Sequence, residues 1–253
     1  MNPRFVKTEA KANGLAVITF GHPAHNSLPS SLLELLSDHI HSAAAVPSTR
    51  LILLKSAGDR TFCAGASFDE LLALTDEETG KAFFSGFARV INAIRQSPKL
   101  VICRAQGKAV GGGVGLMAAC DYCFASESVA VKLSEISMNI GPFVIAPALK
   151  RKIGLSAFTM LSLNPTAFFD AYWAQQHGLI HAVQPTINEM DTAIERFCTP
   201  LLNKSQEALT ALKRTLWHGT DHWEVLLYDL AATSGRLALT EESKRSLKEF
   251  KQR

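Results

Sequence analysis

The sequence predicts an α/β protein with a largely parallel β-sheet. Residues 50–56 (RLILLKS) and 100–105 (LVICRA) are almost continuously apolar, which is typical of parallel strands buried on both faces. An amphipathic helical pattern over 77–96 lies between them and supplies the crossover that parallel strands require. From about residue 205 onward the pattern is helical only.

Local signals predict the elements before the second buried strand. Asn13-Gly14 is a strong hairpin signal and joins strands at 5–9 and 15–20. Pro29, which is tolerated near a helix start, precedes a helix over 31–45. After the strand at 50–56 come a short helix over 68–74 and the helix over 77–96, which Pro98 closes.

The second half of the chain is predicted in the same way. A helix over 116–120, strands at 122–125 and 129–133, and a helix over 143–153 ended by Gly154 follow the strand at 100–105. Gly178 stops a helix within FDAYWAQQHGL and precedes a strand at 179–183. Beyond Asn188 we expect only helices.

Composition excludes several classes of protein. The 253 residues carry a net charge of +3, too small to indicate a nucleic-acid partner. No apolar run reaches the roughly 20 residues of a membrane span, and the polar N-terminus lacks the apolar core of a signal peptide. The five cysteines, an odd number, argue for a reducing compartment rather than a disulfide framework. We therefore expect a cytoplasmic protein without a membrane partner.

Two glycine-bearing turns follow the two buried strands. These are CAGAS at 63–67 and VGGGVG at 110–115. Ligands of open α/β sheets bind beyond the carboxyl ends of the strands, and such turns aim free N–H groups outward. Two converging N–H groups would hold a developing oxyanion, whereas the alternative is close packing of strand and helix. No phosphate-loop pattern, dinucleotide fingerprint or metal-ligand cluster accompanies them, so we expect neither a metal nor a cofactor.

The run CAGASFDEL, followed by AQGKAVGGGVGLMAACDYCFASESVAVKLSEISMNIGPF, resembles the crotonase, or enoyl-CoA hydratase/isomerase, superfamily over nearly the whole chain. The resemblance implies a ββα spiral over 1–204 and a C-terminal helical region over 205–253 that mediates a homotrimer or a dimer of trimers. It implies an acyl-CoA thioester substrate, with coenzyme A as part of the substrate. The leucines between 226 and 239 form an apolar stripe suited to the trimer.

The resemblance also assigns the candidate site. The backbone N–H groups of Ala66 and Gly112 would stabilise a thioester enolate, and Glu135 would be the acid–base group. Well-studied hydratases have a second glutamate where this chain has Gly115. The segment 143–147 should narrow the acyl pocket. Further contacts to the substrate are implied for Ala64, Gly65, Ser67, Gly111, Gly115 and Phe143.

Several reactions stay open at this point. The motif pattern is similar to bacterial hydratases of the methylglutaconyl-CoA and isohexenylglutaconyl-CoA type, which favours hydration of an enoyl-CoA. A single glutamate also suits a double-bond isomerase, and a homologue that only binds the thioester is a third possibility. Dehalogenation needs an aspartate where this chain has Phe143. Asp121, at the end of the glycine-rich segment, is expected to bond backbone amides rather than to catalyse.

Overall fold

Two β-sheets and ten α-helices make up residues 4–251, the part of the chain that the computed structural model describes. The first sheet has the strand order β1-β2-β3-β5-β7-β10, in which β1 is antiparallel and the others are parallel. Its strands are Phe5–Ala10 (β1), Leu15–Gly21 (β2), Leu51–Ser56 (β3), Leu100–Ala105 (β5), Tyr122–Ser126 (β7) and Ala182–Gln184 (β10).

A second, smaller sheet has the order β4-β6-β8-β9. Its strands are Thr61–Cys63 (β4), Lys108–Val110 (β6), Ala130–Lys132 (β8) and Phe169–Asp170 (β9), of which the first three are parallel. The chain gives one strand to each sheet in turn, as β3-β4, β5-β6 and β7-β8. This repeated step is the ββα spiral that the resemblance implies.

The helices fill the connections and the C-terminal part of the chain. They are Ser30–Ala45 (α1), Phe68–Leu72 (α2), Glu77–Gln96 (α3), Gly112–Ala119 (α4), Ala146–Leu163 (α5), Ala171–Gln176 (α6), Ile187–Leu202 (α7), Gln206–Leu216 (α8), Trp223–Ala238 (α9) and Glu241–Lys251 (α10). Within the described residues, no helix combines the length and apolarity that a bilayer crossing demands.

Two predicted helices need correction. The helix expected from residue 116 begins at Gly112, so Gly112 and Gly113 lie in its first turn and Gly111 is its N-cap. The helix expected over 143–153 begins later, at Ala146, and Gly154 ends its regular path as predicted. Gly154 has a φ of 72° and is not helical, and a second helical stretch follows it within α5 to Leu163.

The continuous apolar strands face two cores. Ile52 and Leu54 of β3 belong to the core that contains α1 and α3, whereas Leu51 and Leu53 belong to the core beneath α7. Because successive side chains of a strand point to opposite faces, both sets are buried only if helices cover both faces of the sheet. The burial of β3 therefore confirms the prediction made from its sequence.

Asp121 joins the sheet to the C-terminal helices. Its carboxylate accepts hydrogen bonds from the N–H of Val101 at 2.7 Å, from Nζ of Lys213 at 2.7 Å and from Nε1 of Trp217 at 2.7 Å. The side chains of Asp121 and Lys213 are each only 3% exposed. Asp121 is therefore a structural residue, as predicted, and it ties β5 to α8.

Replacement of Lys213 by alanine should lower the free energy of unfolding by about 3–5 kcal/mol, because the carboxylate of Asp121 would stay buried without its cation. Urea denaturation measures this change. The matched control is Lys244→Ala, which removes an exposed pair with Glu241 and should cost about 0.5 kcal/mol or less. Equal losses in the two variants would contradict the assigned role of the buried pair.

Candidate active site

A cavity of about 560 Å³ lies where three parallel strands of the second sheet end. The turns after β4, β6 and β8 form one side of it. The loop before α1, the helices α2, α3 and α9, and the segment before α5 form the rest. Of the predicted site residues, the cavity is lined by Ala64, Gly65, Ala66, Ser67, Gly111, Gly112, Glu135 and Phe143.

The two glycine turns pack directly against each other. Gly65 has a φ of +92°, a conformation that favours glycine. A Cβ on Gly65 would lie 3.0 Å from the carbonyl oxygen of Val110 and 3.7 Å from the nitrogen of Gly112. Two segments that are far apart in sequence therefore meet at the cavity.

Two backbone N–H groups at this junction are free to bind a ligand. Gly112 is the first residue of α4, so its N–H has no acceptor within the helix. Ala66 follows Gly65, and Leu28 bonds to the carbonyl of Gly65 rather than to the N–H of Ala66. Neither N–H donates to another described residue. The arrangement has the donors that an oxyanion hole requires.

Gly112 is required by packing as well as by ligand approach. A Cβ at this position would lie 2.2 Å from Cε1 of Phe87, a buried ring of α3 that also lines the cavity. Any larger residue would have to displace this ring. The close contact fixes the first turn of α4 against α3 and so fixes the direction of its N–H groups.

Glu135 opens a short 3₁₀ turn, Glu135–Met138, directly beside the glycine triplet. A Cβ on Gly111 would come within 2.7 Å of Oε1 of Glu135, so the bare backbone of Gly111, at a φ of +52°, admits the carboxylate. Oε2 is buried without a hydrogen-bond partner among the described residues. Burial raises the pKa of Glu135 to about 7, against a smaller opposing effect from backbone N–H groups.

Gly115 is placed differently from the other predicted contacts. It is buried in α4 and does not line the cavity, because Ile145 covers it. A Cβ on Gly115 would lie 2.3 Å from Cγ2 of Ile145. The position at which well-studied hydratases have a second carboxylate is therefore occupied by an aliphatic side chain.

Ser67 and Phe143 have clear local surroundings. The hydroxyl of Ser67 accepts a hydrogen bond from the N–H of Glu70 and caps α2. The ring of Phe143 packs over Gly141, where a Cβ would lie 2.2 Å from the ring. Phe143 and Ile145, which belong to the segment expected to narrow the acyl pocket, both line the cavity.

Several lining residues carry no signal in the sequence. Helical spacing shows only that one face of α3 is buried, and it does not show that this face borders a cavity. Helical spacing likewise does not show that Ser234 of α9 borders the cavity. The lining residues that the sequence did not predict include Phe83, Phe84, Phe87, Met138, Ile140 and Ser234.

The site combines the free amides of Ala66 and Gly112 with the carboxylate of Glu135, whose pKa is raised, in a mostly apolar cavity. Such a site can stabilise an oxyanion and move a proton. Residues 10–253 match the sequence profile of the family described as "Enoyl-CoA hydratase/isomerase". The chain belongs to this family.

Individual relatives agree with that assignment. Over 190 residues the chain is 30% identical to the mitochondrial methylglutaconyl-CoA hydratase of Homo sapiens, a match that covers 74% of this chain and 56% of that protein. The chain thus spans less than two thirds of this relative.

Solved structures confirm the predicted fold class. An enoyl-CoA hydratase from Mycobacterium avium superposes with a TM-score of 0.86 and 26% identity, covering 98% of this chain and 96% of that chain. An enoyl-CoA hydratase from Bacillus halodurans superposes with a TM-score of 0.90 over 96% of this chain and 99% of its own, at 23% identity. At this lower identity, the Bacillus halodurans structure shows only that the two chains share a fold.

Proposed function

We propose that this chain is an enzyme that hydrates an enoyl-CoA thioester. The observation that carries the proposal is the carboxylate of Glu135, with its raised pKa, in one cavity with the free amides of Ala66 and Gly112. A general acid–base group works best when its pKa lies near the operating pH, and burial supplies this shift here. The membership of the family supports the thioester as substrate.

The proposed mechanism uses Glu135 twice. Its carboxylate takes a proton from water as the water oxygen bonds to C3 of the enoyl group. The electrons of the C2–C3 double bond move to the thioester oxygen, which the N–H groups of Ala66 and Gly112 stabilise. Glu135 then returns its proton to C2 as the carbonyl re-forms. The sum is addition of one water molecule, and every step uses groups that border the cavity.

Isomerisation of a double bond is the second candidate. Ile145 fills the place beside Gly115, so only one carboxylate faces the cavity from this wall. In this reaction Glu135 would remove a proton from C2 of a 3-enoyl-CoA and return it to C4, through the same stabilised enolate. This chemistry needs no positioned water and therefore no second carboxylate.

An absorbance assay at the enoyl-thioester band separates the candidates. We expect absorbance to fall with crotonyl-CoA or 3-methylglutaconyl-CoA if the enzyme hydrates, because the conjugated double bond is lost. With a 3-enoyl-CoA the absorbance would rise if the enzyme isomerises. No change with any of the three, together with tight binding of the thioesters, would support a non-catalytic homologue instead.

We also propose that the chain forms a trimer or a dimer of trimers, as the family resemblance implies. Leu227, within the stripe expected to serve the trimer, is buried in the core of its own chain. The exposed apolar residues Leu155 and Leu163 of α5 are 67% and 71% exposed and offer another face for association. Light scattering of the intact 27.5 kDa chain should give three times this mass for a trimer or six times for a dimer of trimers.

We propose that the protein is cytoplasmic. All five cysteines are free and buried in the structure. Cysteines that remain unpaired in this way suit a reducing compartment, which supports this placement.

A further inference from the structure

The hydroxyl of Ser234, on α9, is buried beside the cavity and unpaired among the described residues. Ser234 is 1% exposed and lines the cavity, yet its Oγ has no hydrogen-bond partner among the described residues. Its neighbour Thr233 behaves in the usual way for a helical hydroxyl and donates to the carbonyl oxygen of Asp229. Buried polar groups in proteins are nearly always hydrogen-bonded. The unpaired hydroxyl of Ser234 therefore indicates a hydrogen-bond partner on a bound ligand.

The part of the cavity next to α9 has an apolar side. Leu71 of α2, Phe83 of α3 and Met138 of the 3₁₀ turn line the cavity and form one apolar cluster with Ala238, about one turn beyond Ser234 on α9. The only acceptor among these side chains is the weak thioether sulfur of Met138. A ligand that fills this part of the cavity with hydrocarbon alone would leave the hydroxyl unpaired.

The helix contacts place Ser234 well away from the reacting groups. A Cβ on Gly80 would lie 2.8 Å from Cα of Gly235, so α9 crosses α3 beside Ser234. Phe87, which packs on Gly112, lies seven residues farther along α3, which corresponds to about 10 Å of helix. Ser234 therefore faces the part of an acyl chain that lies several carbon atoms beyond the thioester.

We propose that Ser234 is a specificity-determining residue that hydrogen-bonds an oxygen atom in the distal part of the acyl chain. The substrate class is then a hydroxyacyl- or oxoacyl-CoA thioester rather than a plain hydrocarbon acyl-CoA. This inference rests on the proposed function, because it takes the thioester to lie at Ala66 and Gly112. A hydroxyl suits either class, since it both donates and accepts.

Binding of unreactive saturated ligands tests the proposal without relying on turnover. Isothermal titration calorimetry would compare hexanoyl-, octanoyl- and decanoyl-CoA with their ω-hydroxy counterparts. At one chain length the hydroxylated ligand should bind about tenfold more tightly to the wild type, as one well-placed hydrogen bond allows. Ser234→Ala should lose this preference and keep its affinity for the plain acyl-CoA. The control Thr233→Ala should keep the preference.

Stability of the free protein gives a second, independent readout. Removal of an unpaired buried hydroxyl should raise the melting temperature of Ser234→Ala, by about 2–4 °C. Thr233→Ala loses a hydrogen bond within α9 and should show no such rise. A lower melting temperature in Ser234→Ala would show that the protein itself uses the hydroxyl, and would overturn the proposal.

The outcomes separate this inference from the proposed function. Equal affinity for plain and hydroxylated ligands at every chain length would overturn the role of Ser234 and leave the thioester assignment standing. Failure of every acyl-CoA to bind would overturn the proposed function and this inference together. A preference that survives in Ser234→Ala would assign the recognition of the oxygen to another residue.

Discussion

Glu135→Gln is expected to lower turnover at least about 100-fold, because positioned proton transfer typically contributes 100- to 10,000-fold. Glutamine keeps the size of the side chain and its capacity for hydrogen bonds, but it cannot exchange a proton. The space that Gly111 leaves beside Oε1 accepts the amide equally well. Thioester binding should therefore change by less than about tenfold, or roughly 1.4 kcal/mol.

The pH dependence gives the same residue a second test. If the deprotonated carboxylate of Glu135 acts as the base, kcat/KM should rise with pH and level off above its pKa of about 7. A buried carboxyl group with a raised pKa also stabilises the fold when it is protonated. The free energy of unfolding of the wild type, taken relative to that of Glu135→Gln, should therefore fall as pH rises from about 4.5 through about 7.

Glu207→Gln serves as the control for both measurements. Glu207 is an exposed carboxylate in the first turn of α8 and does not line the cavity, so its replacement should leave the rate and the pH profile unchanged. An undiminished rate in Glu135→Gln would show that the carboxylate is structural. Catalysis would then need a different proton carrier, and the proposed mechanism would fail.

Much of the fold was predictable because its signals are local. The hairpin at Asn13-Gly14, the apolar strands β3 and β5 and the amphipathic helix α3 each carry their pattern within one segment, and each lies where it was predicted. The short strands β4, β6 and β9 were missed. They contain two or three residues, too few to show a period, and they exist only because distant segments pair with them.

The candidate site was predictable only where the backbone dictates the sequence. Gly65 and Gly111 have positive φ values, so the turns that carry them leave a mark in the sequence. Phe87, Ile145 and Ser234 line the cavity only because elements that are far apart in the chain pack together. No local pattern distinguishes such residues from ordinary core positions, because burial alone decides their type.

Ile145 packs so closely on Gly115 that it leaves no room for a glutamate side chain at position 115. Gly115→Glu alone should fail to give a second catalytic carboxylate, because its Cβ would lie 2.3 Å from Cγ2 of Ile145. Overpacking of a well-filled core typically costs about 1–3 kcal/mol, and an unpaired buried charge adds to that cost. We expect a clear loss of stability on urea denaturation and no gain in hydration of crotonyl-CoA.

Removal of the isoleucine should change this result. Ile145→Ala opens the space in front of Gly115 and should by itself cost about 2–5 kcal/mol, as large-to-alanine changes in a core do. In the double variant, Gly115→Glu with Ile145→Ala, the new carboxylate fills that space and borders the cavity that Glu135 lines. The two stability losses should therefore add to more than the loss in the double variant, since the residues are in contact.

The activity of the double variant is the decisive measurement. A second proton-transferring group should raise hydration of crotonyl-CoA by about 100-fold over Ile145→Ala. The matched control replaces Gly115 by glutamine in the same Ile145→Ala background, which has the same shape and no exchangeable carboxyl proton. An equal gain in the glutamine variant would assign the effect to cavity shape. Wild-type stability in the single Gly115→Glu variant would show instead that Ile145 yields easily, and that the missing glutamate reflects the chemistry of this site rather than its packing.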